Sequence, residues 1–207
     1  MNHLNKLLSI ASDQLCDNTT NHLTYDSNSL LEQLNIVLKE KNGFYIFESA
    51  LHVFPSISSD NQIGIIEWNE TSLWKTYYNC DLSNVTFFAE DIFGNQFCIK
   101  DKTICLFDVE SMSFEYLATS MEEWAELIIY NYDMLTGFKV AHEWQQLNGV
   151  LPTKQRLLPK IPFILGGEYS LNNLYTSDAI EGMRFRASIA NQIKDLPDGV
   201  PIKISIN

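Results

Sequence analysis

The chain has 207 residues, 45% hydrophobic and 12% aromatic, enough apolar surface to close a core and far more than disordered chains carry. Lys and Arg number 14 against 26 Asp and Glu, a formal net charge of −12, which argues against nucleic acid and anionic lipid surfaces as partners because both need a concentrated basic face. No apolar run reaches the roughly 18–20 residues that span a bilayer, and Met1–Ile10 lacks a basic region followed by a clean apolar segment, so no signal peptide and a cytoplasmic location are expected.

The first 25 or so residues are polar and irregular, with a short helix near Leu4–Leu15 as their one candidate element. A helix is predicted over Leu30–Lys41. Ser29 and Glu32 have capping-box spacing, Leu30, Leu34 and Leu38 with Leu31 and Val37 form the apolar stripe, and Asn42-Gly43 supplies a left-handed stop. Strands are predicted at Phe44–Phe54, Ile63–Trp68, Val85–Ala89, Phe97–Lys100 and Thr103–Phe107, short aromatic or β-branched runs bounded by turn residues. Gly94-Asn95 and Asp101-Lys102 read as tight hairpin connections that join the last three into an antiparallel meander.

A helix over Met121–Asn131 has Ser120 and Glu123 at capping-box spacing and buries Met121, Trp124, Leu127 and Ile128. A second, over Phe138–Leu147, stops at Asn148-Gly149 and Pro152. The last 50 residues predict a strand at Ile161–Leu165, a turn at Gly166-Gly167 and a helix at Asp178–Leu196. The alternation of Val200, Ile202, Ile204 and Ile206 predicts a final strand. The class is α+β, a mostly antiparallel sheet with helices packed on one side. It divides into a flexible or short-helical segment (1–25), an α+β core (26–149) and a C-terminal strand–helix–strand extension packed on that core (150–207).

The charge is uneven: residues 1–80 carry −5, residues 81–136 carry −9 and residues 137–207 carry +2. Acids of the middle third alternate with aromatics, the pattern of a folded surface. Cys16, Cys80, Cys98 and Cys105 lie far apart without a Cys-x-x-Cys pair, so they read as free structural thiols, and no metal or cofactor is expected. Dinucleotide, Walker and nucleophile-elbow signatures are missing. In His142-Glu143-Trp144-Gln145-Gln146, Gln146 stands where a zinc protease helix needs its second histidine. No base–orienter spacing supports His142 with Glu143, or Asp91 with Asp108, so catalysis is not expected.

Glu90 and Asp91 are neighbours at a strand end and point to opposite faces. Asp91 opens a turn through its side chain and Gly94 supplies the unusual dihedral, a structural motif. Glu122, Glu123 and Glu126 complement the macrodipole at a helix start. With Glu90, Asp108, Glu110 and Glu115 they can instead form one negative surface for a basic partner. Trp74, Tyr77 and Tyr78 lie in a loop-like segment (68–82), where exposed aromatics would anchor an interface.

Three stretches carry a resemblance. Phe87–Ile99 holds Asp91 and Gly94 in a hairpin, Leu106–Glu110 ends in Asp108-Val109-Glu110, and Leu117–Trp124 opens a helix as Ala118-Thr119-Ser120-Met121-Glu122-Glu123-Trp124. Over about residues 30–135 the chain resembles the SUKH superfamily, the Smi/Knr-like proteins. That resemblance implies an α+β fold without catalytic residues. Many bacterial members look like immunity proteins that bind a toxin, while others are similar to hubs regulating cell-wall synthesis. The expectation is a non-catalytic binding protein, an immunity protein that neutralises a bacterial toxin, a basic nuclease being one candidate, by occluding its active surface. Its contact residues would come from Trp74, Tyr77, Tyr78, Glu90, Asp108, Glu110, Glu122, Glu123 and Glu126. An intracellular scaffold or regulator with no toxin partner is the alternative, and pairing of two copies through the acidic middle and the +2 segment is also open.

Overall fold

Six strands lie side by side in the order in which they occur in the chain. The structure, a computed structural model, describes residues 2–17 and 29–197. The sheet is an antiparallel meander of β1 (Phe44–Ile46), β2 (Leu51–Val53), β3 (Val85–Glu90), β4 (Gln96–Lys100), β5 (Thr103–Phe107) and β6 (Phe114–Ala118). Tight turns produce this order. Gly94 at φ +81° turns β3 into β4, and Asp101 and Lys102 at φ +48° and +64° turn β4 into β5, the positive dihedrals that match strand twist. A second antiparallel pair joins β7 (Gln155–Pro159) to β8 (Leu174–Asp178). The helices are α1 (His3–Ile10), α2 (Ser29–Glu40), α3 (Ile65–Trp68), α4 (Met121–Tyr130), α5 (Tyr132–Thr136), α6 (Phe138–Asn148) and α7 (Ala179–Ile193).

Pairing of Gln96 with Phe107 and of Phe97 with Leu106 puts Phe97 on one face of the sheet and Gln96 and Phe107 on the other. Trp124 of α4 packs edge-on against Phe88 and Phe97, ring centroids 5.3 and 5.8 Å apart. On the opposite face Trp68 donates its indole N–H to Gln96 Oε1 at 2.8 Å, Trp74 packs on Phe87 at 4.9 Å, and Met183 of α7 meets the Gln96 amide. Helices therefore cover both faces, which corrects the one-sided arrangement expected. Periodicity marks which stripe of α7 is buried, not which sheet face receives it. The same double cover explains why Gln96–Ile99 are buried without alternation.

Other elements differ from expectation for local reasons. Ile63–Trp68 is the helical turn α3, not a strand. Asn69 pins it by donating to the carbonyls of Ile65 and Phe87 and accepting the Phe87 N–H (2.8, 2.7 and 2.9 Å), so packing overrides the β preference of its isoleucines. Phe44–Phe54 is two strands, and β6, β7 and β8 were not foreseen. Ile161–Leu165 ends in a 3₁₀ turn over Phe163–Leu165. The predicted strand over Val200–Ile206 lies outside the described residues. At the N-terminus, α1 buries Leu7 and Leu8 in the main core, and from the C-terminal extension Met183, Ala187 and Ala190 join the same core. Among the described residues no helix is long and apolar enough to cross a membrane.

Candidate functional site

Asp91 follows β3 and organises the turn there. Its Oδ1 accepts the N–H groups of Phe93 and Asn95, each at 2.8 Å, and its Oδ2 accepts Asn95 Nδ2 at 2.9 Å, an Asx-type turn. Gly94 serves this turn twice, through its positive φ and through its missing Cβ, which would stand 2.5 Å from Arg186 Nη2. Arg186 comes from α7, is 3% exposed, and donates through Nη1 to the Phe93 carbonyl. Burial lifts Asp91 to about 7, against the Asn95 bonds and the Arg186 charge that favour its anion.

The same asparagine ties this hairpin to the next. Asn95 Oδ1 accepts the Val109 N–H at 3.3 Å, and Asp108 Oδ1 accepts the N–H groups of Glu110 and Ser111 at 2.8 and 2.9 Å. Glu110 is thereby turned inward and is only 5% exposed. Its Oε2 accepts the Ile164 N–H at 2.9 Å, while its Oε1 has no hydrogen-bond partner. Burial raises its pKa, opposed by the Ile164 bond and by Arg186.

Between these turns and the 163–169 segment lies a cleft of about 260 Å³ lined by Asp108, Glu110, Arg186 and three aromatic rings. Phe163 and Tyr169 stack at 3.8 Å and 8°, and Phe93 sets its edge against both at 5.2 and 5.5 Å. Tyr169 is 60% exposed. Partial burial, then the charges of Asp108, Asp91 and Glu110, raise its hydroxyl pKa. Two carboxyl groups, Asp108 and Glu110, thus share the cleft with one guanidinium and an aromatic wall, an arrangement that attracts cationic groups.

A second charged cluster has no access to solvent. Glu90 Oε1 lies 2.7 Å from Arg156 Nη2 and 3.0 Å from His52 Nδ1, every one of these side chains being at most 5% exposed. Gln96 Nε2 reaches Glu90 Oε2 at 3.3 Å. Burial alone would raise Glu90, but Arg156 and His52 outweigh it and hold the carboxyl below its usual range. Burial pushes His52 down to about 4, so its neutral ring donates Nδ1–H to Glu90. His52 Nε2 and Arg156 Nε are left without partners.

The residues singled out from sequence do not form one surface. Trp74 and Tyr78, expected as exposed anchors, are buried. Trp74 donates to the Trp68 carbonyl at 2.9 Å and Tyr78 to the Val109 carbonyl at 3.1 Å, because the segment that carries them is the cover of one sheet face. Tyr77 is exposed beside Arg184. Glu90, expected at the surface, is buried in the ion cluster. Glu122 accepts the N–H groups of His3 and Leu4 at 2.6 and 3.1 Å and so caps α1, while Glu123 accepts the Thr119 N–H at 2.7 Å. Glu126 is exposed on α4. Asp91, Gly94, Asp108 and Glu110 are the ones brought together. His142 pairs not with Glu143 but with Glu48, Nδ1 to Oε2 2.8 Å. Sequence reasoning missed Arg186, Phe163, Tyr169, His52 and Arg156. The available signal for Arg186 is a cation on the apolar stripe of Met183, Ala187 and Ala190.

No protein-family model matches the chain, and no curated protein matches it. Among solved structures it is similar to the crystal structure of Atu4351 from Agrobacterium tumefaciens, at 13% sequence identity and a TM-score of 0.54. The likeness covers 87% of this chain and 86% of that one, and at this identity it concerns the α+β fold alone.

Proposed function

We propose that the chain is a non-catalytic binding protein of the immunity type, which holds a basic toxin and covers the surface through which that toxin acts. The observation that carries this reading is the cleft at Asp108 and Glu110, where an exposed acid and an open aromatic stack stand over a buried, fixed carboxylate. Such a combination of charge and rigid aromatic surface suits a protein interface. The net charge of −12 would speed encounter with a basic partner. The SUKH-like pattern runs through the same residues, Asp91, Gly94, Asp108 and Glu110, and supports the same class of function.

The test is capture of the tagged protein's partners from its native lysate with washes at rising salt, followed by co-expression of each captured protein. A single basic protein, held stoichiometrically, released by salt, and lethal to cells only without this chain, is the expected result. Toxicity that co-expression leaves unchanged would overturn the immunity reading. Many weak partners of mixed charge would replace it with the scaffold reading.

A further inference from the structure

Building on that binding role, we infer that the cleft between Glu110 and Tyr169 is a receptor for one arginine side chain of the partner. Its size suits a side-chain head group: about 260 Å³ falls below the roughly 300–1,000 Å³ of pockets for drug-sized ligands. Its chemistry selects a cation. Glu110 lines the cleft but is 95% buried; its Oε2 accepts the Ile164 N–H, the Phe163 N–H also favours its anion, and Oε1 has no donor at full hydrogen-bond geometry. A buried carboxylate oxygen without a full donor is costly, and an incoming N–H group removes that cost.

Planarity then separates arginine from lysine. Tyr169 is 60% exposed and stacked on Phe163 at an interplanar angle of 8°, a rigid flat surface on which a guanidinium lies face to face while its edge reaches a carboxylate. An anionic ligand meets the opposite conditions, since Asp108 and Glu110 both line the cleft and the Nη1 of Arg186 is already engaged by the Phe93 carbonyl. A neutral apolar ligand leaves Glu110 Oε1 as it is.

The experiment titrates the whole chain with N-acetyl-arginine amide and with N-acetyl-citrulline amide, its uncharged isostere, and follows the Glu110 and Ile164 amide signals by two-dimensional NMR. Saturable shifts from the arginine compound alone are expected, weakened about tenfold or more in Glu110→Gln, since a charge-assisted bond is lost. Tyr169→Ala, which removes the exposed ring of the stack, is expected to weaken binding with the Glu110 and Ile164 signals of the free chain unchanged. Equal shifts from the citrulline compound, or undiminished binding by both variants, would overturn the assignment. Arginine binding in the cleft without any toxin partner would remove only the immunity reading. Capture of a toxin unaffected by Glu110→Gln and Tyr169→Ala would remove only the arginine site.

Discussion

Among single residues, the buried cluster of His52, Glu90 and Arg156 decides most. Arg156 compensates a carboxylate that has no route to water, so Arg156→Met is expected to cost about 3–5 kcal/mol of stability, the usual cost of stranding a buried charge. Adding Glu90→Gln to that variant should recover part of the loss, because the stranded charge goes with it. Urea denaturation of the single and double variants checks this, and a single variant within about 1 kcal/mol of the parent would contradict it. His52 gives a second test. Its ordinary value of 6.5 falls to about 4 in the fold, so between those values the unfolded chain binds a proton that the folded chain does not. Stability from this group is therefore complete above pH 6.5 and is lost as pH falls toward 4, by up to about 1.4 kcal/mol per unit. Asp91 acts oppositely. Lifted from 3.8 to about 7, it favours the fold at low pH and loses that contribution as pH rises through the same window. Wild-type curves mix the two slopes, so the informative quantity is the difference between wild type and His52→Gln. The variant should gain relative to wild type as pH falls from 6.5 to 4.5. A difference independent of pH would mean that His52 is protonated in the folded chain.

At the scale of elements, the β1–β2 connection is the most strained piece of backbone. Phe47, Glu48 and Ser49 have φ of +53°, +52° and +68° in succession, and each left-handed non-glycine residue costs roughly 1–2 kcal/mol. Helices α5 and α6 enforce the turn. Phe47 packs on Tyr132 and Phe138 at 5.1 and 6.0 Å, Glu48 pairs with His142, and Gln145 donates to the Glu48 carbonyl at 2.8 Å. Ser49→Gly should therefore stabilise the chain by about 0.5–1 kcal/mol, the relief of strain exceeding the added entropy of the unfolded state. A loss of stability on thermal or urea denaturation would show that the Ser49 side chain contributes more than its backbone costs. This turn also shows why the sequence was only partly legible. Phe44–Phe54 carries β-forming residues throughout and lacks the glycine that normally marks a reversal, so it looks like one strand. Strand β6 was hidden in the same way, since Met112 at φ +60° takes a place where glycine would have announced the hairpin. By contrast α4 was legible because Ser120 accepts the Glu123 N–H at 3.1 Å as its spacing implies, and Asp91 with Gly94 was legible because an Asx turn is local. The cleft was not. Its wall at Phe163 and Tyr169 and its guanidinium at Arg186 come from residues more than 50 positions beyond Glu110, and no local pattern says which distant segments meet.

For the molecule as a whole, the question is whether residues 150–197 are an appendage or part of a single cooperative unit. Three observations favour the second. Met183, Ala187 and Ala190 belong to the main apolar core and close one sheet face. Arg156 is the countercharge of Glu90, and Arg186 sits against the β3–β4 turn with its Nη1 on the Phe93 carbonyl. Removing α7 and β7–β8 would expose that sheet face and leave Glu90 and Asp91 without their cations, so the loss combines apolar exposure with stranded charge. The N-terminus is tied in by the same logic, because α1 buries Leu7 and Leu8 and takes its cap from Glu122 on α4. A chain ending at Gly149 is expected to show no cooperative urea transition and to bind a dye for exposed apolar surface, whereas the full chain unfolds in one step with a slope set by its whole buried area. A truncated chain that unfolds cooperatively would make residues 26–149 an independent core. The cleft would then be an interface between two units, because Glu110 belongs to that core while Tyr169 and Arg186 belong to the extension. The cooperative outcome instead makes the cleft as rigid as the core beneath it, which is what a preorganised receptor for a partner's side chain requires.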